Sequence, residues 1–270
     1  MITSNQNPRL KLTRALIGRA KERRQENAFV AEGVRLVEEA RQANWSFRFV
    51  LHGGKLSPRG EALILSLEQR GIATEEVAEH LLNAMSDTGN SQGVLAVLDL
   101  PKPIPLPAAL DFVLIPDQIR DPGNLGTLLR SAAAAGAQAV LLPPETADAF
   151  APKVVRAGMG AHFKLPIRGM EWEDIRQATR GLRLLLADMD GDSCWETDLR
   201  SPLGLIVGGE AEGASEEARK LATGVIRIPM PGGSESLNAG AAGSILLFEV
   251  VRQRTTQLTT GEQRYPAGTM

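Results

Sequence analysis

The chain has 270 residues, 43% of them hydrophobic, which is long for one small domain, comfortable for two, and ordinary for a soluble globular protein. A formal net charge of −2, from 30 basic and 32 acidic residues, excludes a uniformly basic nucleic-acid binder. A single cysteine, Cys194, excludes an internal disulfide framework and a CxxC zinc site, and it fits a reducing, cytoplasmic setting. No apolar run reaches transmembrane length and the N-terminus has no signal core, so the expectation is a cytoplasmic protein with no membrane partner.

The first 24 residues concentrate charge that the whole-chain sum conceals. Arg9, Lys11, Arg14, Arg19, Lys21, Arg23 and Arg24 stand there against Glu22 alone. Such an asymmetry points to a polyanion, and equally to a helix face solvated by scattered charges. Next, GVRLVEEARQ (33–42) has helical spacing at Val34, Val37 and Ala40, and FRFVLH (47–52) predicts a short strand. A helix at 61–69, a strand near 72–77, a helix over 76–84 and the strand GVLAVLDL (93–100) complete a small α/β domain over 1–100. PKPIPLP (101–107) has four prolines, which suit neither a helix interior nor a central strand, so 101–109 is a stiff linker.

Beyond it, apolar strands are predicted at 111–117, 139–143, 182–188, 203–209 and 225–229, alternating with helices at 125–136, 151–157, 172–178, from Ser215 to 223, and 238–252. Near-continuous apolar strands alternating with helices predict a parallel sheet covered on both faces, over 110–254. The tail 255–270 is polar and aperiodic and reads as disordered. There is no complete GxGxxG after a strand, no Walker loop, no HExxH and no GxSxG, which argues against dehydrogenase, P-loop, zinc-hydrolase and α/β-hydrolase chemistry. The alternating acids of DMDGD (188–192) lack a calcium loop's closing Glu and read as an exposed turn.

Three polar clusters fall at C-terminal ends of predicted strands, where open α/β sheets bind ligands. They are DQIRDPGNLGTLLR (117–130), IVGGEAEGAS (206–215) and IPMPGGSESLN (228–238). Singly, each has a plain reading: Asn124 or Ser236 as a helix cap, the glycines as turns, Arg130 as a surface arginine.

Together they resemble a family. NLGTLLR, VGGEAEG and IPMPGGSESLN are similar, in order and spacing, to the three motifs of the TrmH/SpoU ribose 2′-O-methyltransferases of the SPOUT class. KVVRAGMGAHFKLPI (153–167) also resembles a family segment, and NPRLK (7–11) with FVAEGVRLVEEA (29–40) is similar to its ribosomal-protein-like RNA-binding domain. The chain departs from the family pattern at Gly209, at Gly240, where a larger residue is frequent, and at Gly158, where Ser is frequent.

The resemblance implies an α/β fold whose C-terminal parallel-sheet domain carries a deep trefoil knot, preceded by the small α/β domain. It implies S-adenosyl-L-methionine held by Gly208, Ile228, Met230, Leu237 and Asn238, and catalysis by Asn124, Arg130, Glu210, Ser236 and Asn238. The resemblance credits Arg130 with activating the ribose hydroxyl, as a true base or, since a guanidinium is a poor base, preferably as an electrostatic and phosphate clamp. Arg9, Lys11, Arg14, Arg23 and Arg24 would contact RNA phosphates, and the small residues of 239–251 suit a homodimer interface as well as they suit a core. The leading reading is methylation of large-subunit rRNA. tRNA is the alternative substrate, and a non-catalytic RNA-binding assembly factor or a generic nucleotide-binding protein are the alternative classes.

Overall fold

The computed structural model describes residues 1–86, 93–102, 105–107, 109–209, 213–234 and 236–258. The chain divides into two compact units, Met1–Ile104 with Asp148–Lys164, and Pro105–Ala147 with Leu165–Met270.

The first unit contains α1 (Pro8–Gly18), α2 (Ala20–Glu26), β1 (Ala28–Glu32), α3 (Val34–Gln42), β2 (Phe47–His52), α4 (Pro58–Glu68), β3 (Thr74–Glu76), α5 (Glu79–Asn83) and β4 (Val94–Asp99). Its sheet runs β1-β4-β2-β3, with β4 antiparallel to β1 and β2, and β3 parallel to β2. Side chains alternate across β1. Phe29 and Ala31 enter the core beneath α3 and α4, while Ala28 and Val30 enter the one beneath α1 and α5. β1 was not expected, whereas a helix was one of two readings of the basic first 24 residues, which form α1 and α2. α1 buries only Leu10, Thr13 and Leu16 among its basic residues, so its apolar row is thin. Its start is chemically marked: Asn7 Oδ1 accepts from Arg9 N at 2.8 Å and Pro8 takes the first turn.

Asp148–Lys164 belongs to this unit, which differs from the continuous 110–254 domain expected from sequence. The reason is aromatic. Phe150 and Phe163 pack on Phe29 with ring centroids 5.0 and 6.5 Å apart, and Trp45 meets Phe163 at 5.1 Å. The segment carries α7 (Pro152–Ala157) and a buried histidine, His162, whose Nε2 lies 2.7 Å from Ala149 O.

The second unit contains β5 (Phe112–Pro116), α6 (Pro122–Ala134), β6 (Ala139–Leu142), β7 (Ile167–Gly169), α8 (Trp172–Ala178), β8 (Arg183–Ser193), β9 (Leu203–Val207), α9 (Glu216–Leu221), β10 (Gly224–Arg227) and α10 (Ala239–Leu258). The sheet order is β10-β8-β9-β5-β6-β7 and every pairing is parallel. β5, β6 and β9 are buried along their whole length, as strands covered on both faces must be. α8 and α9 close one face through Ile175, Ala218 and Leu221. α10 packs against α6, where Gly243 leaves room for Leu128. β7 has three residues, too few for a sequence pattern to mark. The expected disordered tail needs correction, because α10 continues through residues 255–258; residues 259–270 lie outside the described residues. No helix among the described residues is long and apolar enough to cross a membrane.

Burial pushes the His162 imidazole down from its ordinary value to about 4. Folding therefore favours the neutral ring. That stability is fully present above pH ~6.5 and is lost as pH falls toward 4, at ~1.4 kcal/mol per pH unit. Denaturant titrations of the wild type and His162→Gln between pH 7.5 and 4.5 should show the wild type losing stability faster on acidification. Parallel pH profiles would assign the acid sensitivity to other groups.

Candidate functional site

β10, β8 and β9 lie side by side, and the segments leaving their C-terminal ends enclose a cleft of about 650 Å³. Gly208, Gly209 and Gly213 form the wall after β9, while Ile228, Met230 and Ser236–Asn238 form the wall after β10. A third wall comes from a break in the β8–β10 ladder. Val225 pairs with Leu186, but Ile226 pairs with Asp192, so the intervening residues of β8 leave the ladder. Asp188 and Met189 line the cleft from this excursion. It is held by Arg227 Nε donating to Gly191 O at 3.0 Å and by the Asp188–Arg219 ion pair at 3.0 Å. The sequence reading took DMDGD for an exposed turn. Its place in the cleft follows from the register break, for which the sequence carries no pattern. Among the described residues no His, Cys, Asp and Glu cluster suits a metal ion.

Glycine is required where these segments cross. A Cβ on Gly208 would lie 2.7 Å from Ala214 N, one on Gly209 2.6 Å from Gln118 O, and one on Gly191 2.5 Å from Ile226 N. Each obstacle is main chain, which no rotamer can move aside. Gly209 and Gly213 also pair as an isolated antiparallel bridge.

The structure brings several predicted residues together. α6 is capped by Asp121, whose Oδ1 accepts from Asn124 N at 2.8 Å, so the Asn124 side chain is not the cap. Instead Asn124 Oδ1 accepts from Asn238 Nδ2 at 2.9 Å. Asn238, and not Ser236, caps α10: its Oδ1 accepts from Ala241 N at 3.1 Å. A Cβ on Gly240 would press on both asparagine amide oxygens, at 3.2 and 3.3 Å, which explains glycine there. Ser236 and Leu237 are exposed on the cleft wall beside Asn238.

Arg130 is not among the residues lining the cleft. Six residues beyond Asn124 on α6, it is displaced about 9 Å along the axis and turned about 120° away from it. It is exposed, and its side chain makes no hydrogen bond or ion pair among the described residues. Glu210 lies outside the described residues.

The basic residues of α1 and α2 separate into committed and open ones. Arg23 corrects the phosphate-contact expectation: it is 5% exposed, pairs with Asp148 at 2.7 Å and donates from Nη1 to Leu16 O at 2.5 Å. It is a structural arginine. Arg9 pairs with Glu75 at 2.8 Å, and Arg14 bonds Asn5. Lys11, Lys21 and Arg24 are exposed and, among the described residues, have no ion-pair partner.

A family model described as the SpoU rRNA Methylase family matches residues 111–248, and one described as the MRM3-like substrate binding domain matches residues 7–96. The chain is 31% identical to the 23S rRNA (uridine(2479)-2′-O)-methyltransferase of Streptomyces viridochromogenes, over 95% of this chain and 93% of that protein. It is 36% identical to mouse rRNA methyltransferase 3, mitochondrial, but over 62% of this chain and only 54% of that longer protein. Among solved structures it resembles the AdoMet-bound rRNA methyltransferase from Sinorhizobium meliloti, with a TM-score of 0.80 and 33% identity, covering 93% of this chain and 97% of that one.

Removing the Asn238 side chain by Asn238→Ala should cost about 1 kcal/mol for the cap alone and lower the melting temperature by roughly 2–4 °C. Asn238→Ser should recover most of that loss, since its hydroxyl can cap α10 without reaching Asn124. Unchanged melting of the Ala variant would show the cap to be energetically idle.

Proposed function

The chain belongs to the SpoU rRNA methylase family, and we propose that it transfers a methyl group from S-adenosyl-L-methionine to a ribose 2′-hydroxyl of large-subunit rRNA. The observation that carries this reading is the cleft at the ends of β8, β9 and β10, walled by all three segments and joined to α6 through the Asn124–Asn238 bond. Its volume of about 650 Å³ lies within the range of sites that enclose a nucleoside-sized ligand. Its chemistry fits as well. Val207, Ile228, Leu237 and Leu246 offer apolar surface for a purine, and the glycine crossing at 208 offers main-chain donors and acceptors without side chains in the way. Gly208, Ile228, Met230, Leu237 and Asn238 would hold the cofactor.

When bound, S-adenosyl-L-methionine supplies a methyl group made electrophilic by its sulfonium. The protein's part is to hold a ribose hydroxyl in line and to stabilise the charge that grows on O2′ as its proton leaves. Asn124, Ser236 and Asn238 present amide and hydroxyl groups that can hold the ribose. Glu210, in the second motif, would orient the loop or the arginine. Arg130, whose side chain has no partner among the described residues, is suited to clamp the neighbouring phosphate and the developing alkoxide.

Because Arg130 stands away from the cleft, it would come from a second copy of the chain in a homodimer. The exposed face of α10, with Ala241, Ile245 at 41% and Phe248 at 48% exposure, offers an apolar stripe for that contact. The main-chain crossings at Gly191 and Gly208 support the trefoil knot that the family resemblance implies. The domain boundary would fall within the 101–109 linker, and Lys11, Arg24 and in part Arg9 and Arg14 would position RNA through phosphates. Buried Cys194 suits a cytoplasmic enzyme.

Incubation with methyl-labelled cofactor and rRNA, followed by mapping of the 2′-O-methyl group, tests the reading. Transfer to a single rRNA ribose is expected, and cofactor binding without transfer to any RNA would overturn it. Arg130→Lys should lower kcat at least tenfold with cofactor affinity unchanged, because a lysine cannot make the bidentate contact. Mixing Arg130→Ala with Asn238→Ala chains should restore about one quarter of wild-type activity if each site uses both subunits. No recovery would place Arg130 and Asn238 in one subunit's site.

A further inference from the structure

Asp117 is fully buried one residue beyond β5, and neither the cleft lining nor the three motifs account for it. Its main-chain N–H donates to Val207 O, the last residue of β9, at 2.8 Å. Its Oδ2 accepts from Ser215 N, the N-cap of α9, at 2.6 Å. One residue therefore holds the chain on both sides of the glycine segment, where it leaves β9 and where it enters α9. The Ser215 hydroxyl accepts from Ala218 N at 3.1 Å and so caps α9.

The consequence falls on the cleft wall. Gly213 and Ala214, immediately before Ser215, are the main chain against which Gly208 packs. Gly208 and Gly213 both line the cleft. The next residue, Gln118, holds φ +52 and places its carbonyl oxygen against Gly209. Asp117 Oδ1 has no hydrogen-bond partner among the described residues. Burial raises the carboxyl's pKa, and Glu217 and Glu145 act in the same direction, against the main-chain and side-chain groups of Ser215, which lower it. A half-satisfied buried carboxyl is a poor way to fill a core and calls for another reason.

We propose that Asp117 is a positioning residue for the cofactor wall: by clamping Ser215 to the end of β5, it fixes Gly213 and Ala214 against Gly208 in the shape that receives S-adenosyl-L-methionine. This rests on the cofactor reading above. Asp117 acts through the main chain and touches neither cofactor nor RNA.

The test measures cofactor affinity by calorimetry and rRNA-fragment affinity by filter binding on the full-length protein. Asp117→Ala should weaken cofactor binding at least about tenfold, the loss expected for a charged acceptor's hydrogen bond, with rRNA affinity unchanged. Asp117→Asn keeps an acceptor oxygen in the same place and should recover binding to within about threefold of wild type. Should the Ala variant be insoluble, Asp117→Leu, close in volume, carries the same expectation. Wild-type affinity in Asp117→Ala, or failure of Asn to rescue, would each overturn the clamp. A wild-type protein that binds no cofactor would instead overturn the cofactor reading.

Discussion

The site depends on main chain passing main chain with no side chain between. Gly208 against Gly213–Ala214, Gly209 against Gln118, and Gly191 against Val225–Ile226 are three such crossings within one end of one sheet. Each brings backbone to a distance at which an L side chain has no space. A polypeptide held this way presents peptide N–H and C=O groups to a ligand, and it does so rigidly, since the neighbour that excludes the side chain also excludes movement. The cost is that the glycines themselves bury no side chain there. The necessary burial is supplied elsewhere, by β5, β6 and β9 and by the α6–α10 contact at Gly243.

The same economy governs the polar motif residues. Asn238 begins α10 and reaches Asn124, and Asp121 begins α6, freeing Asn124 to receive it. The two helices that pack against each other are thus also tied at their N-termini, where unpaired N–H groups already collect. Ser131 and Ser244 join them again, at 2.7 Å. A substitution at Asn238 consequently disturbs a cap, an inter-helix bond and a cleft wall together. Stability and activity measured on such a variant will move in parallel unless the cap is restored separately.

How far the sequence disclosed this varies with the range of the interaction. The second unit's long strands and helices were legible, because burial on both faces writes continuous apolar runs. The helix predicted at 125–136 ends as α6 just before Gly136, which holds φ +77. The helix predicted from Ser215 does begin there, with the Ser215 hydroxyl as its cap. β1 and β7 were not legible, being short, and thinly apolar α1 was so only as one of two readings of its basic run. Two features were out of reach in principle. The β8 excursion that brings Asp188 and Met189 to the cleft depends on the register against β10, forty residues away in the chain, and the attachment of Asp148–Lys164 to the first unit depends on Phe29 and Trp45 offering a larger aromatic surface. The resemblance supplied the candidate site residues as a set. The coordinates added which of them meet: Asn124 with Asn238, but not with Arg130.

That separation gives a physical criterion for reading the arginines. Sequence treats Arg23 and Arg130 alike, as single cations in helical segments. In the fold Arg23 is buried, neutralised by Asp148 and saturated by main-chain carbonyls at the end of α1, so its charge is spent on holding Asp148–Lys164 to the first unit. Arg130 is exposed and, among the described residues, unneutralised. A buried guanidinium already paired with a carboxylate gains little from a phosphate, because it would first have to abandon that counter-charge. One facing solvent gives up only water. Uncommitted cations, and not the number of basic residues, therefore mark where a polyanion can bind, which is how a chain of net charge −2 can still present an RNA-binding surface.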